Sequence, residues 1–432
     1  MKSILIRAED KNRWESRTPL VPADLKELID QTGMKAFVEK SEKRFFKMDR
    51  YSSAGAQLCD DMNPGDIIFG IKEIPEEKLL DDKVYVFFSH TIKGQTSNMP
   101  MLKRIMKGGS TLIDYERVID AQDRRLIYFG RYAGDAGAID ILWLMGKHWA
   151  WAGIDTPFTD VKQALHYDSV SDAHEELKII GERIKSEGLP ASISPLVIGI
   201  LGYGNVSIGA QQIFDCLPVK RIAPESLNNL NSKENHSIYM TVFKEEHLVE
   251  HKQGLAFDLQ DYYDHPENYK SQFDKYLPRI SILVNAVYWE SRYPRFVTWE
   301  SLKSLFSRDV KPKLAGIADI TCDVNGSIEC NVKSTTTGMP SYMCDPMTRT
   351  ITDGHEADGV LLLAVDNLPC ELPNDASTFF SAQLKRFVPN LLEANFNTSL
   401  EESGLKAELR KAVIVYRGEL TPDYRYLEQF LD

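Results

Sequence analysis

The sequence has 432 residues, of which 43% are hydrophobic and 26% charged, a composition typical of globular proteins and sufficient for two domain cores. Its formal net charge of −12 argues against nucleic acid as the main partner, because phosphate binding requires a basic surface. No apolar run is long enough to cross a bilayer, and the first residues lack the pattern of a signal peptide. We therefore expect a cytoplasmic protein that binds neither nucleic acid nor membrane.

The first third of the chain alternates strand-like and helix-like segments, a pattern that predicts a parallel α/β sheet. The strand-like segments are SILIRAE, KAFVEK, DIIFGIKEIP, KVYVFFSH and TLIDYERV. The helix-like segments are VPADLKELIDQTG and MPMLKRIMKGG, each ending at glycine.

A second α/β unit is predicted in the middle of the chain. Two helices, AGAIDILWLMGKHWAW and SDAHEELKIIGERIKSEG, precede a strand, a glycine turn and a helix in LVIGILGYGNVSIGAQ. Further strands are RISILVNAVYW and PKLAGIADI, and the long polar segment KSTTTGMPSYMCDPMTRTITDGHEADG has no clear period and predicts an irregular excursion.

The tail from DNLPCELPNDASTFF onward is predicted to be helical and to pack back on the first domain. The resulting fold class is α/β, with two Rossmann-like parallel-sheet domains and the active site in the cleft between them. We expect residues 1–135 with 368–432 to form the substrate and catalytic domain, and residues 136–367 the dinucleotide-binding domain.

Six cysteines are spread along the chain without a CxxC pair, and their spacing fits neither a zinc site nor a disulfide framework. We expect reduced thiols and no bound metal. The cysteines are Cys59, Cys216, Cys322, Cys330, Cys344 and Cys370.

The glycine turn predicts a dinucleotide site. Gly202 allows the tight turn, Gly204 lets the backbone approach a pyrophosphate, and Ser207 takes the third position, where a small residue is needed for packing. Backbone amides at the start of the following helix, at Asn205 and Val206, are expected to hold the phosphates.

The ribose partner is expected about 20 residues beyond the turn, where the sequence is VKRIAPESL. Glu225 fits a 2′-hydroxyl, which favours NAD. Lys220 and Arg221 fit a 2′-phosphate, which favours NADP. Ordinary surface positions explain all three charges equally well, and the sequence does not separate these alternatives.

Three residues of the first third follow predicted strands or precede a helix, where ligands bind in parallel sheets. Arg17 precedes the first helix, Lys72 follows one strand, and His90 follows the next. An arginine can bind a carboxylate through two hydrogen bonds, a desolvated lysine can act as a base, and a histidine can transfer a proton near neutral pH. Each also has a structural alternative: a surface arginine, a lysine–glutamate ion pair, or a histidine that ends a strand.

Several of these stretches together resemble a known enzyme family. The set RAEDKNRWESRTPLVP, GIKEIP, FSHTIKGQ, YFGRYAGDAG and the glycine turn is similar to the alanine dehydrogenase and lysine-forming saccharopine dehydrogenase superfamily. More narrowly, GYGNVSIGAQQIF, VNAVYWES, DNLPCELPNDAS and LTPDYRYL resemble the lysine–2-oxoglutarate reductase half of α-aminoadipic semialdehyde synthases.

The resemblance implies a reversible reaction in which the ε-amine of lysine condenses with 2-oxoglutarate and NAD(P)H reduces the imine to saccharopine. It implies that Lys72 and His90 are the acid–base pair and that Arg17 holds a carboxylate. The other residues implied by the resemblance lie near the substrate at Gln95, Arg125 and Phe129, near the cofactor at Arg124, and at the nicotinamide edge at Tyr288 and Asp319.

The chemistry of the substrates agrees with the charges of the first third. A dicarboxylic keto acid and a zwitterion need several charged contacts, and Glu73 and Glu116 are candidates to receive the amines of lysine. Among similar enzymes, the bifunctional reductases tend to use NADPH and the fungal single enzymes NAD. The closer match to the bifunctional branch favours NADP(H) over NAD(H).

Two other functions remain open at this stage. One is an amino-acid or opine dehydrogenase of the alanine dehydrogenase type that acts on a substrate such as pyruvate. The other is a nucleotide-binding regulatory protein that has lost catalysis. The sequence does not predict an oligomeric state.

Overall fold

The computed structural model describes residues 2–231, 233–309 and 312–431. These residues form two compact units. The first unit extends to Phe129 and resumes at Pro373, whereas the second comprises Gly130–Leu372. The tail therefore belongs to the same unit as the first third of the chain.

The strands of the described residues share short lengths of two to six residues. In chain order they are β1 (Ser3–Ile6), β2 (Lys35–Glu39), β3 (Gln57–Cys59), β4 (Ile67–Phe69), β5 (Val84–Phe87), β6 (Thr111–Asp114), β7 (Val197–Leu201), β8 (Val219–Arg221), β9 (Ile238–Phe243), β10 (Val249–His251), β11 (Tyr269–Ser271), β12 (Ile282–Asn285), β13 (Gly316–Asp319), β14 (Ser341–Asp345), β15 (Thr350–Asp353), β16 (Val360–Leu363), β17 (Val413–Tyr416) and β18 (Glu419–Leu420).

The α-helices of the same residues range from one turn to the 21 residues of α4. In chain order they are α1 (Pro22–Thr32), α2 (Met48–Ser53), α3 (Met99–Lys107), α4 (Arg131–Trp151), α5 (Val170–Glu187), α6 (Asn205–Phe214), α7 (Glu245–Leu248), α8 (Leu259–Asp264), α9 (Trp299–Phe306), α10 (Pro373–Leu384), α11 (Val388–Glu393) and α12 (Ala407–Lys411).

Local sequence signals account for the ends of the longer helices. Pro22 begins α1, and Gly33 ends it with φ of +66° and an N–H that donates to the carbonyl of Ile29. The side chain of Ser169 caps the start of α5, and Gly188 follows its last residue. These stops agree with the helices predicted from proline, serine and glycine positions.

The sheet of the first unit has the strand order β18-β17-β6-β5-β4-β1-β2-β3. Strands β1 to β6 are parallel, which confirms the α/β pattern of the first third. The prediction of a purely helical tail was incomplete, because β17 pairs antiparallel with β6 and β18 with β17. Strand β17 has four residues and pairs with β6, which is about 300 residues earlier in the chain, so local periodicity does not reveal β17.

The sheet of the second unit has the order β15-β14-β16-β13-β12-β7-β9-β8. The six adjacent strands β16, β13, β12, β7, β9 and β8 are parallel, as the Rossmann-like prediction requires. The segment expected to be an irregular excursion instead contains the antiparallel hairpin β14–β15, paired with β16. That interpretation was wrong over these strands, because β14 is buried and pairs with β16, while the largely exposed β15 pairs with β14 at the edge of the sheet.

β7 lies between β12 and β9, and β8 lies outside β9 although it comes before β9 in the chain. Leu201, the last residue of β7, pairs with Phe243, the last residue of β9. The N–H of Gly202 also donates to the carbonyl of Phe243 at 2.9 Å. The residues that follow Phe243 therefore lie beside the glycine turn.

Helix α4 is buried along most of its length and packs closely against α6. A Cβ at Gly134 would lie 1.9 Å from the carbonyl oxygen of Val206, and a Cβ at Gly209 would lie 2.3 Å from that of Arg131. The two glycines thus let the helix backbones touch. This contact fixes the position of α6, whose first turn follows the glycine turn.

Candidate active site

Two neighbouring strands of the first unit end in residues with acid–base chemistry. Lys72 and Glu73 follow β4, and His90 follows β5. These parallel strands pair Phe69 with Val86, so their carboxyl ends lie at the same edge of the sheet. The structure brings Glu73 and His90 into direct contact there.

The Glu73–His90 hydrogen bond joins Oε1 and Nδ1 over 2.7 Å. Burial acts to raise the pKa of Glu73, but the hydrogen bond and charge of His90 outweigh burial and lower this pKa to about 2. Glu73 is therefore ionised at neutral pH. His90 has a φ of +49°, a left-handed conformation that is uncommon outside glycine. The carboxylate holds the imidazole ring in this tight turn.

A buried carboxylate that the sequence analysis did not single out supports Lys72. Glu9 accepts the backbone N–H of Ile71 at 2.7 Å and that of Lys72 at 3.0 Å. Arg7 is the buried ion partner of Glu9, with 3.3 Å between Nη1 and Oε2. The available signal was an acidic residue three positions after the buried first strand β1, where it faces the residues that follow the neighbouring strand β4.

Arg17 is buried and forms an ion pair with Glu15. Its Nε donates to Oε1 at 2.8 Å and its Nη2 to Oε2 at 2.5 Å. The guanidinium also lies 4.3 Å from the ring centroid of Phe129. Arg17 is thus not a surface residue, but Glu15 holds the bidentate position that a substrate carboxylate was expected to take.

Phe129 belongs to an aromatic cluster between Arg17 and His90. Its ring stacks on Phe380 of α10 at a centroid distance of 4.5 Å. Phe88 lies 6.0 Å from Phe129 and stacks on His90 at 6.3 Å. The cluster provides an apolar wall beside the Glu73–His90 pair.

The remaining residues implied for the first unit lie in loops. Arg125 forms a short ion pair with Glu116, whose position is just after β6. Arg124 is largely exposed and binds Asp120 over 2.8 Å. Gln95 lies before α3 and its side-chain oxygen accepts a backbone N–H. The structure therefore joins Arg125 to Glu116 but places Arg124 in a separate surface pair.

The second unit contains a cavity of about 390 Å³ at the carboxyl ends of its central strands. Its lining is mostly aromatic and aliphatic. It consists of Gly202, Tyr203, Gly204, Phe243, Glu245, Leu248, Tyr262, Tyr263, Ala286, Val287, Tyr288, Trp289, Tyr293 and Phe296.

The glycine turn borders this cavity with the geometry of a phosphate site. Gly202 has a φ of +89°, and a Cβ there would lie 3.0 Å from the carbonyl oxygen of Ala286. Gly204 precedes α6, and the space where its Cβ would lie is open. The first amides of the helix, at Asn205 and Val206, have no acceptor within the helix. Backbone N–H groups and the helix dipole can therefore hold an anion here.

The ribose candidates of the sequence lie away from this cavity. Glu225 follows the outermost strand β8 and is 3.3 Å from Nε2 of His247. Lys220 forms an ion pair with Glu234, and Arg221 with Asp215. Counting 20 residues from the glycine turn reaches β8, whereas the strand beside the turn is β9.

A residue after β9 lines the cavity instead. Glu245 is half-buried, and the hydroxyls of Tyr203 and Tyr263 donate to its Oε1 at 3.4 Å and 3.0 Å. The sequence signal was the end of the apolar strand IYMTVF, followed by Lys244 and Glu245. Finding Glu245 requires knowing that β9 lies beside β7 in the sheet, which the spacing of about 20 residues from the glycine turn does not give.

The two residues predicted at the nicotinamide edge differ in exposure. Tyr288 lines the cavity, is 70% exposed, and donates to Glu290 at 2.6 Å. Asp319, at the end of β13, is buried and accepts hydrogen bonds from Asn285 and Asn331 at 2.8 Å each. Burial raises the pKa of Asp319 despite these bonds. Asp319 thus anchors strand ends and does not line the cavity.

Two kinds of feature are absent from residues 2–231, 233–309 and 312–431: membrane-spanning helices and clustered metal-ligating side chains. No helix within them is long and apolar enough to cross a membrane. These residues also contain no group of three or more His, Cys, Asp or Glu side chains placed to hold a metal ion. The six cysteines, all within the described residues, form no disulfide.

Comparison with known proteins identifies relatives along nearly the whole chain. The chain is 38% identical to an α-aminoadipic semialdehyde synthase of Arabidopsis thaliana over 98% of its own length, but it spans only 41% of that protein. It is 29% identical to a saccharopine dehydrogenase [NAD(+), L-lysine-forming] of Emericella nidulans, covering 90% of this chain and 91% of the fungal one. A solved L-alanine dehydrogenase structure aligns over both complete chains with a TM-score of 0.63 and 17% identity, which supports the fold.

Two sequence models of one family also match. Residues 5–136 match the alanine dehydrogenase/PNT N-terminal domain, and residues 222–423 match the alanine dehydrogenase/PNT C-terminal domain. Together these matches include both strand ends of the first unit described above and the residues after β9. The two-sheet α/β fold agrees with this assignment. The chain belongs to the alanine dehydrogenase superfamily.

Proposed function

We propose that this chain is a lysine-forming saccharopine dehydrogenase, which catalyses the reversible reductive condensation of lysine and 2-oxoglutarate. The observation that carries the proposal is the partly buried Glu73–His90 pair beside Lys72, at strand ends of the first unit. Relatives with the names given above support the reaction, one over nearly its full length.

The second unit has the features required for a nicotinamide dinucleotide. The open turn at Gly204 and the first amides of α6 fit its pyrophosphate, and the apolar cavity fits its rings. When bound, the reduced nicotinamide supplies the hydride that reduces the imine. Tyr288 is the cavity residue that we assign to the nicotinamide and substrate edge, while Asp319 positions the strand ends beneath it.

Lys72 and His90 divide the proton transfers in this proposal. Lys72 accepts a proton from the ε-ammonium of the substrate, which makes the amine a nucleophile for the keto carbon. Nδ1 of His90 faces Glu73, so Nε2 is the nitrogen that exchanges a proton with the carbinolamine oxygen as water leaves. Glu73 keeps the ring oriented for this transfer, and the aromatic cluster around Phe129 limits access of water.

Substrate binding needs groups for three carboxylates and an amine. Arg125 with Glu116 offers a paired cation and anion at the end of β6, and Gln95 offers a neutral amide. Arg17 remains the proposed carboxylate ligand, and a substrate would share it with Glu15 or replace Glu15.

The proposal extends beyond the reaction itself. It further includes a cytoplasmic location and action on small molecules, without nucleic acid or membrane. Fractionation of cells that express the tagged chain tests the location. Recovery of the chain in an organelle fraction would contradict that part of the proposal.

Spectrophotometry tests the proposed reaction directly. Reduced nicotinamide should be oxidised only when lysine and 2-oxoglutarate are both present, and the two nicotinamides should be offered separately. Oxidation with pyruvate and ammonia in place of these substrates would assign the chain to the alanine dehydrogenase type. Cofactor binding without oxidation of either kind would favour the regulatory alternative.

A further inference from the structure

The choice between the two nicotinamides depends on the side chains beside the ribose of the adenosine half. In dinucleotide-binding sheets the ribose is bound at the end of the strand next to the glycine-turn strand. Here β7 is flanked by β12 and β9, and β9 is the flanking strand that comes first after the glycine turn in the chain. Leu201 pairs with Phe243 of β9, and Gly202 donates to the Phe243 carbonyl. The residues to consider are therefore Lys244 and Glu245.

Among the described residues that line the cavity, Glu245 is the only one with a charged side chain. The hydroxyls of Tyr203 and Tyr263 both donate to its Oε1. They hold the carboxylate in place beside the glycine turn, and Oε2 is the oxygen that we assign to the ligand. Burial, together with the charge of Glu245, raises the pKa of Tyr203, so the Tyr203 hydroxyl keeps the proton that it donates to Glu245 at neutral pH.

Two cations close to this part of the chain, Lys244 and Arg292, do not line the cavity. Lys244 is exposed and its Nζ lies over the Tyr203 ring, 5.9 Å from the centroid. Arg292 donates to the carbonyl of Tyr263 at 3.1 Å and forms an ion pair with Glu290 over 3.1 Å. The described residues that line the cavity include no arginine and no lysine.

We infer that Glu245 determines cofactor choice by accepting a ribose 2′-hydroxyl and repelling a 2′-phosphate, so that the chain prefers NAD(H) over NADP(H). A hydroxyl can donate to the carboxylate, whereas a phosphate has no proton to offer at neutral pH and adds negative charge. The inference rests on the proposed nicotinamide site in the second unit. It replaces the preference for NADP(H) that the sequence motifs favoured.

Equilibrium binding without substrates tests this inference. NADH and NADPH are titrated separately into the purified chain, and the change in their fluorescence gives both dissociation constants. The wild type should bind NADH at least about tenfold more tightly than NADPH, equivalent to about 1.4 kcal/mol. Equal affinities, or tighter binding of NADPH, would overturn the inference without any variant.

Two substitutions at adjacent positions then locate the cause. Glu245→Gln removes the charge and keeps the shape, and it should reduce the NADH preference to about threefold or less, mainly by improving NADPH binding. Glu246→Gln is the matched control, because Glu246 is exposed and does not line the cavity. An unchanged preference in Glu245→Gln, or an equal loss in both variants, would refute the role of Glu245.

The same titrations separate this inference from the proposed reaction. Discrimination that depends on Glu245, without oxidation in the presence of lysine and 2-oxoglutarate, would support the inference and reject the reaction. Lysine-dependent oxidation that is faster with NADPH at equal low concentrations would support the reaction and reject the inference. Failure to bind either nicotinamide would reject the site and the inference together.

Discussion

Replacing Asp140 with asparagine should make the stability of the protein less dependent on pH. Asp140 on α4 and Glu371 form a buried acid pair in the second unit. The Asp140 carboxylate accepts the N–H of Ala164 at 2.8 Å, and Gln163 donates to Glu371 at 3.4 Å. Burial raises the pKa of both acids, and Glu371 is raised further by the charge of Asp140.

The size of the effect follows from the Asp140 pKa, which burial raises from 3.8 to about 6. The folded protein keeps a proton that the unfolded chain releases near pH 3.8, so stability is full below that pH and falls as the pH rises through about 6. At 1.36 kcal/mol per pKa unit, the loss attributable to Asp140 between pH 4 and pH 8 is about 3 kcal/mol.

Urea denaturation at a series of pH values measures how the free energy of unfolding changes with pH. The difference in unfolding free energy between Asp140→Asn and wild type should move in favour of the variant by about 3 kcal/mol from pH 4 to pH 8. Asp309→Asn, at an exposed position, is the matched control and should follow the wild type. A variant curve parallel to the wild type across this range would refute the buried acid pair as a source of pH dependence.

Three further substitutions test the two halves of the candidate site. Lys72→Met should lower kcat by about 100-fold or more while the dissociation constant of NADH changes less than about twofold, and equal loss of both would reject the acid–base role. Arg17→Lys keeps the charge but loses the fork, so it should raise KM for 2-oxoglutarate about tenfold; an unchanged KM would make the Arg17–Glu15 pair purely structural. Gly209→Val places side-chain atoms against the carbonyl of Arg131, so it should cost about 1–3 kcal/mol of stability and weaken NADH binding. Normal stability and binding in Gly209→Val would show that α4 and α6 do not need this close contact.

The positions of acid–base residues at strand ends were predictable from sequence. Apolar runs such as VYVF and IIF are short and bounded, so the residues after them, including Lys72 and His90, could be assigned to one sheet edge. Their partners were less predictable. The hydrogen bond between Glu73 and His90 and the amides held by Glu9 depend on side-chain directions that follow from strand order.

Residue spacing could not predict which acidic residue lies beside the glycine turn, and the reason is physical. Glu225 and Glu245 are both acidic residues after short strands, and residue spacing favoured Glu225. The outcome depended on whether β8 or β9 pairs with β7, which is a long-range choice between two parallel strands. The longer and more apolar β9 takes the inner place, because a central strand is covered on both faces.

Long-range pairing also explains the missed strands β14 and β17. β14 pairs with β16 and β17 with β6, neighbours that the local pattern does not contain, and β15 is the hairpin partner of β14. The Arg17–Glu15 pair was missed for a related reason. A charged loop resembles a surface segment in sequence, yet both side chains are buried in the first unit, with the Arg17 guanidinium over the ring of Phe129.

The most direct test of the proposed function is the oxidation of NADH at saturating lysine and 2-oxoglutarate, with each substrate omitted in turn. The account predicts oxidation that requires both substrates, yields saccharopine, and is lost in His90→Gln with folding intact. Oxidation that proceeds without lysine, or wild-type rates in His90→Gln, would contradict the assignment of this site to saccharopine formation.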